Sequence, residues 1–486
     1  MAKSAGKKLK RNVVCYKKIR RKYFKMISYK SVQQKWSFNL SFFVLPIYYL
    51  LFILSSCSVN KQITKQANKI LLEDSAIRQG HIGISIFEPA TGKYWYEHDA
   101  EKYFVPASNT KLFTLYAGMK YLGDSLIGLR YNSNPNDNSI IIQPTGDPSF
   151  LHSDFTNQPV LDFLKNKQCA QLSIVDDFNF LSNSFGKGWA WDDFGEEYMA
   201  ERSAFPINGN LASFYLNADT LKAFPAMFDD SKYSSIITWN KNQPAWGKSF
   251  NIYRKKDSNF FQTASIGRGR LPAKTNIPFI SNDNGFIKLM LEGILNCKLG
   301  ESAFTHGAYR FSNIIHSQSS DSVFKPMMHR SDNFFAEQTL IMASNEHLGY
   351  MSDERMIDTL LKTDLKDIPQ QPKWVDGSGL SRYNLFTPQD FVYLLKKIKD
   401  EFDWKRIQNI LPTGGEGTLS SYYKSEKGYI FAKTGTLSNN CALSGYLITK
   451  KNKVLIFSIL VNNYKTGATP IRRSVEGFLQ KIRNNY

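Results

Sequence analysis

The 486-residue sequence predicts an α+β fold: one antiparallel sheet flanked by helices, interrupted by a large mixed α/β insertion. Two patterns point there. Near the C-terminus three apolar runs follow one another, Tyr429 to Leu437, Cys441 to Ile448 and Val454 to Val461, the last two joined by the polar turn Lys450-Lys-Asn-Lys, which reads as a meander. Helix-period segments begin at Lys111 and at Ile471, on either side of a long excursion of different character.

Ile82, Ile84 and Ile86 alternate as a strand, and Lys93-Tyr-Trp-Tyr pairs back on it after Ala-Thr-Gly. Both are expected to join the meander. Helices from Ser108, Ser331 and Ile471 are expected to pack around this sheet. The catalytic unit then spans 76–130 and 308–486, and an inserted region spans 131–307. That region holds strand-like Asn138-Ser-Ile-Ile-Ile-Gln and Leu172-Ser-Ile-Val, and a helix pattern from Gly285 to Leu295.

The front end reads differently. Residues 1–36 carry 13 Lys/Arg and no Asp/Glu, Leu40 to Leu54 is nearly all apolar, and Leu54-Ser-Ser-Cys57 follows. A basic stretch, a short apolar core and small residues before a cleavage point describe an export signal, here residues 1–56, with 57–75 as a linker. The tetrad resembles a bacterial lipobox, which implies lipid on Cys57 and a membrane-anchored protein in the cell envelope. Met26 is a second candidate start. Removing the leader takes the formal charge from +20 to about +7, because 13 of the 62 cations go with it. The basic balance therefore does not signal nucleic acid. Cys169, Cys297 and Cys441 remain, an odd number without Cys-x-x-Cys spacing, so neither a disulfide framework nor a zinc site is expected and Cys297 and Cys441 read as small core residues. No metal or cofactor is expected.

Three short motifs carry the chemistry: Ser108-Asn-Thr-Lys111, Ser331-Asp-Asn333 and Lys433-Thr-Gly435. Each alone is common in this chain. Ser-x-x-Lys also begins at Ser4, Ser58, Ser184, Ser322 and Ser421, Ser-x-Asn at Ser37, Ser249 and Ser438, and Lys-Thr-Gly recurs at Lys465. Context selects among them. Ser108 opens a helix pattern, where free backbone N–H groups can receive an oxyanion, and Lys111 is one turn on, on the same face. A lysine acts as base only if its pKa falls, and a nearby second cation with partial burial does that; Lys433 is the expected cation. Lys433 lies in a strand-like run, whereas Lys465 precedes Pro470 in a loop. A serine nucleophile with a lysine base suits acyl transfer without histidine.

The triple is a signature of penicillin-binding proteins and class A β-lactamases. With Thr145-Gly-Asp-Pro-Ser-Phe150, Gly188-Trp-Ala-Trp-Asp-Asp193, Asp376-Gly-Ser-Gly-Leu-Ser-Arg382 and Glu416-Gly-Thr-Leu419, the chain resembles the peptidase S13 family from about Ile82 to Tyr464. The 223 residues between Ser108 and Ser331 match the insertion of that family. The resemblance implies a penicillin-binding-protein/serine β-lactamase-like transpeptidase domain and a D-Ala-D-Ala carboxypeptidase or cross-link endopeptidase. Its partners would be peptidoglycan peptides and β-lactam antibiotics. It further implies an oxyanion hole from the N–H groups of Ser108 and Thr436, a substrate carboxylate met by Lys433, Thr434 and Gly435, and a proton relay through Ser331. Asn333 would bind the substrate amide or hold Lys111. Asp176 and Arg382 would form a pocket for the free end of a diamino acid. Two other readings share the motifs: a β-lactamase, and an acylatable envelope sensor that does not turn over. Steady-state D-alanine release separates the three.

Overall fold

The computed structural model describes residues 60–168, 171–175, 179–217, 220–230, 250–266, 273–281, 283–301 and 311–486. The leader with Met26 and Cys57, as well as Cys169 and Asp176, lie outside the described residues. Fourteen strands are described: β1 (His81–Glu88), β2 (Lys93–His98), β3 (Ser125–Ser133), β4 (Ile140–Pro144), β5 (Leu172–Ile174), β6 (Leu211–Asn217), β7 (Thr220–Phe224), β8 (Phe250–Arg254), β9 (Phe261–Ile266), β10 (Ala273–Pro278), β11 (Asn313–Ser319), β12 (Ile430–Leu437), β13 (Asn440–Ile448) and β14 (Val454–Asn462).

The main sheet runs β12-β13-β14-β1-β2, antiparallel throughout. The meander and the N-terminal hairpin are thus one sheet, joined where β1 pairs with β14, Ile84 opposite Ile459. Its inner strands are buried on both faces, which is why their sequences run apolar rather than alternate. Ile430 and Ala432 pack with Phe478 and Leu479 of the C-terminal helix Ala468–Asn485. Phe431, between them, joins the other core, which includes Phe113.

That second core is built on two helices buried almost throughout, Lys111–Tyr121 and Asn333–Leu348. Phe113 is fully buried among Trp374, Phe386 and Phe391, with ring centroids 4.6–5.5 Å apart. Removing such a ring costs roughly 3–5 kcal/mol, so the helix bearing Lys111 is firmly seated.

The chain departs through β3 and returns along β11, and these two strands pair in a second sheet ordered β11-β3-β4-β5. Only β4 and β5 run parallel. Two smaller sheets, β10-β6-β7 and β8-β9, belong to the same excursion. One expectation is corrected: Cys297 is disulfide-bonded and only partly buried, not a core residue, while Cys441 is a free, buried thiol. An odd count of widely spaced cysteines conceals a pairing that depends on tertiary proximity.

Candidate active site

Ser108 lies in the 3-10 turn Ala107–Thr110, one step before the α-helix that starts at Lys111. Ala107 holds φ +49°, a left-handed conformation that costs a non-glycine residue energy and needs support from its surroundings. Support comes from both sides. Val105 exchanges two hydrogen bonds with the Asn462 amide at the end of β14 (2.6 and 3.0 Å), and Asn109 donates to Ser444 Oγ on β13 at 2.7 Å. Gly435 allows β12 to close in: a methyl there would fall 2.5 Å from the Pro106 carbonyl and 3.1 Å from the Ser108 nitrogen. The Lys-Thr-Gly strand therefore passes directly against the Ser108 turn.

Lys111 is fully buried, and its Nζ has three neighbours: Ser108 Oγ at 3.0 Å, Asn333 Oδ1 at 2.7 Å and the Ser378 carbonyl at 2.7 Å. The second and third only accept. The Asn333 amide cannot be turned round without loss, because its nitrogen donates to the Tyr198 carbonyl at 3.0 Å. A neutral amine gives its two N–H groups to those acceptors and keeps its lone pair for the Ser108 hydroxyl. Burial brings the Lys111 pKa down to about 8, while Asp376, Glu337 and Asp332 pull the other way. The expected causes were a neighbouring cation together with partial burial. The cause found is loss of water.

Ser331 is not in a helix; it occupies a turn with φ +63° between the helices Ser320–His329 and Asn333–Leu348, the latter capped by Asp332. Its hydroxyl accepts from Lys433 Nζ at 2.8 Å. Lys433 is fully buried, and burial with like charge from Lys111 and Arg472 holds it well below the usual lysine range. Lys433 thus bonds Ser331 rather than Ser108. Lys465 is exposed in the loop after β14. Arg382 is exposed and donates to the Ser438 carbonyl beyond the end of β12 (3.2 Å).

Behind Lys111 stands a cluster that sequence reading missed. Glu337 accepts the Ser378 N–H at 2.7 Å and so fixes the peptide whose carbonyl receives Lys111. Arg202, from the inserted region, bridges buried Glu337 (3.3 Å) and Asp353. Asp376 ties down its own loop by accepting from the backbone of Gly379 and Ser381, the Asn384 amide and the Trp189 indole. Burial and the Asp376 charge raise the Glu337 pKa to about 7.

With this geometry in view, the likenesses to known proteins are specific. The profile of the D-Ala-D-Ala carboxypeptidase 3 (S13) family matches residues 63–277 and 312–482. The chain belongs to that family. It is therefore a serine-type D-alanyl-D-alanine carboxypeptidase, a hydrolase that works on peptidoglycan stem peptides. Over 424 residues it is 22% identical to the D-alanyl-D-alanine carboxypeptidase DacB of Haemophilus influenzae, covering 80% of this chain and 87% of that one. A D-alanyl-D-alanine carboxypeptidase of Actinomadura sp. is 25% identical over 456 residues, 82% and 81% of the two chains. The crystal structure of penicillin binding protein 4 from H. influenzae superposes with a TM-score of 0.66 at 18% identity, over 87% of this chain and 99% of that one. This S13 enzyme thus shares that protein's fold.

Proposed function

We propose that Ser108 is the nucleophile and Lys111 its base, acting on the terminal peptide bond of D-Ala-D-Ala stems. The carrying observation is the three-contact environment of the buried Lys111 amine. Lys111 takes the Ser108 hydroxyl proton as Oγ bonds to the carbonyl carbon of the penultimate D-alanine. The backbone N–H groups of Ser108 and Thr436 receive the oxyanion, a reading supported by the close approach of Gly435 to the Ser108 nitrogen. As the C–N bond breaks, the departing D-alanine amine needs a proton, and the Ser331–Lys433 hydrogen bond is the path nearest to hand. Water then hydrolyses the ester and Ser108 recovers its proton. Cross-link hydrolysis follows the same steps with a larger leaving amine.

A β-lactam follows the first half of this course and leaves Ser108 acylated. The test is intact-mass measurement after labelling with penicillin. Wild type should gain one adduct per chain and Ser108→Ala none; an adduct retained in Ser108→Ala overturns the assignment. Export and lipidation at Cys57 belong to the same proposal. They are supported by the basic leader, by Leu54-Ser-Ser-Cys57 and by the disulfide at Cys297, a bond that persists in oxidising compartments. Asp176 and Arg382 remain proposed as contacts to the diamino acid.

A further inference from the structure

Both acceptors that fix the Lys111 amine are braced from the inserted region, by one short stretch, residues 189–202. The Tyr198 carbonyl takes the Asn333 amide N–H at 3.0 Å, which leaves Oδ1 turned to Lys111. The Trp189 indole donates to Asp376 at 2.9 Å, and Asp376 accepts the N–H groups of Gly379 and Ser381 on the loop that carries Ser378. Arg202 lies between these two holds. Its guanidinium carbon is 5.6 Å from the centre of the Trp189 ring, and it pairs with one oxygen of Glu337 while the other takes the Ser378 N–H. The stretch is also stitched to the helix Asn333–Leu348, because the Gln338 amide accepts the Ser203 N–H (3.2 Å) and donates to the Ser203 carbonyl (2.9 Å). Asn333 and Glu337 are four apart on that helix and so share a face.

Arg202 is buried and fully committed: Nε donates to the Asn183 carbonyl, one Nη to the Phe185 carbonyl, and the other to Glu337 and Asp353. A planar guanidinium held in this way has one place to be, and it passes that fixity to Glu337. Buried ion clusters contribute little net stability compared with an apolar replacement, so holding the fold does not account for this one. We propose that Arg202 is a positioning residue of the acyl-transfer reaction: through Glu337 and the Ser378 peptide it sets the acceptor of the Lys111 amine, so that the inserted region orients the base. The inference rests on Lys111 being that base. Arg202 touches no reacting atom. If the Ser378 carbonyl tilts, the amine turns with it and its lone pair leaves the line to Ser108 Oγ, and a misplacement of about 1 Å in such geometry costs on the order of a hundredfold in rate.

Stopped-flow acylation by a penicillin separates positioning from folding. Its amplitude counts the competent chains, whereas the limiting rate k2 and the binding constant Kd are properties of those chains alone. Two variants of the full chain are used. Arg202→Lys keeps a charge but cannot reach all four partners, and the triple variant Arg202→Met/Glu337→Gln/Asp353→Asn removes the charges of the cluster together, so that no buried acid is stranded. In the triple variant k2 should fall at least about tenfold, and in Arg202→Lys by less, with Kd in both within about twofold of wild type. A wild-type k2 in the triple variant, or a smaller amplitude at unchanged k2, would mean that the cluster only holds the fold, and would overturn the inference. So would a weaker Kd that accounts for the whole loss. Should the triple variant give no folded chain by circular dichroism, Arg202→Lys decides on the same criteria. Lys111→Met, measured in parallel, tests the reading beneath. If it acylates at the wild-type rate, Lys111 is not the base and Arg202 falls with it; if it is inactive while the Arg202 variants are unimpaired, the Arg202 inference alone fails.

Discussion

The pH dependence of acylation tests the central claim that burial makes Lys111 a base. Burial lowers its pKa from the ordinary 10.5 to about 8. At pH 7 about 9% of the amine is then free, against about 0.03% for a lysine left in water, so the fold raises the reactive fraction roughly 300-fold. The second-order rate constant for penicillin acylation reports groups titrating in the free enzyme. It should rise about tenfold per pH unit below pH 7, reach half its limit near pH 8 and flatten by about pH 9. A second perturbation fixes the assignment. Glu337 is one of the acids that hold the Lys111 pKa up, so Glu337→Gln should move the inflection to lower pH. Stopped-flow acylation from pH 6 to 9.5, with folding checked by circular dichroism at each end, gives both curves. A flat wild-type profile, or an inflection that moves up in Glu337→Gln, would show that Lys111 is not the titrating base.

Four further outcomes are expected. Lys433→Ala should slow both acylation and D-alanine release by at least about tenfold, because it removes a desolvated contact at the strand, while exposed Lys465→Ala should leave both near wild type; steady-state kinetics on the pair reverses the fold argument if the effects are swapped. Cys57→Ser should abolish palmitate incorporation in cells, and unchanged labelling would reject the lipid anchor. Arg202→Met leaves Glu337 and Asp353 buried and unpaired and should cost about 3–5 kcal/mol in urea unfolding. Because the folded-state pKa of Glu337 is raised from 4.5 to about 7, its contribution is fully present below pH 4.5 and is lost as pH rises through 7. Glu337→Gln should therefore flatten the fall of stability across that window, and an unaltered slope would place the titration elsewhere.

Much of this site was legible because it is local. Ser108 and Lys111 share one turn, Ser331 and Asn333 are two apart, and Lys433 sits in a strand whose register follows from its apolar neighbours. That the N-terminal hairpin joins the C-terminal meander in one antiparallel sheet was also legible, from apolar strand patterns at both ends; that β1 is the strand that meets β14 was not. What escaped is what only tertiary structure assembles. Arg202, Glu337, Asp353 and Asp376 are scattered over 175 positions and carry no spacing signal. Arg472 sits beside Arg473 at the start of an amphipathic helix and reads as a solvated charge. The left-handed turns at Ala107 and Ser331 use residues that do not announce them, because their neighbours, not their own propensity, impose the conformation.

The decoy motifs show where the activity resides. Ser184, Ser322 and Ser421 also have a lysine three residues on, but Lys187, Lys325 and Lys424 are all exposed. Water hydrates those ammonium groups, and nothing aims a lone pair at the serine. Lys111 differs by position, not by type. It is fully buried, two fixed acceptors take its N–H groups, and the remaining direction meets Ser108. The motif supplies a hydroxyl and an amine one turn apart. Burial supplies the dryness that would let the amine serve as the proposed base.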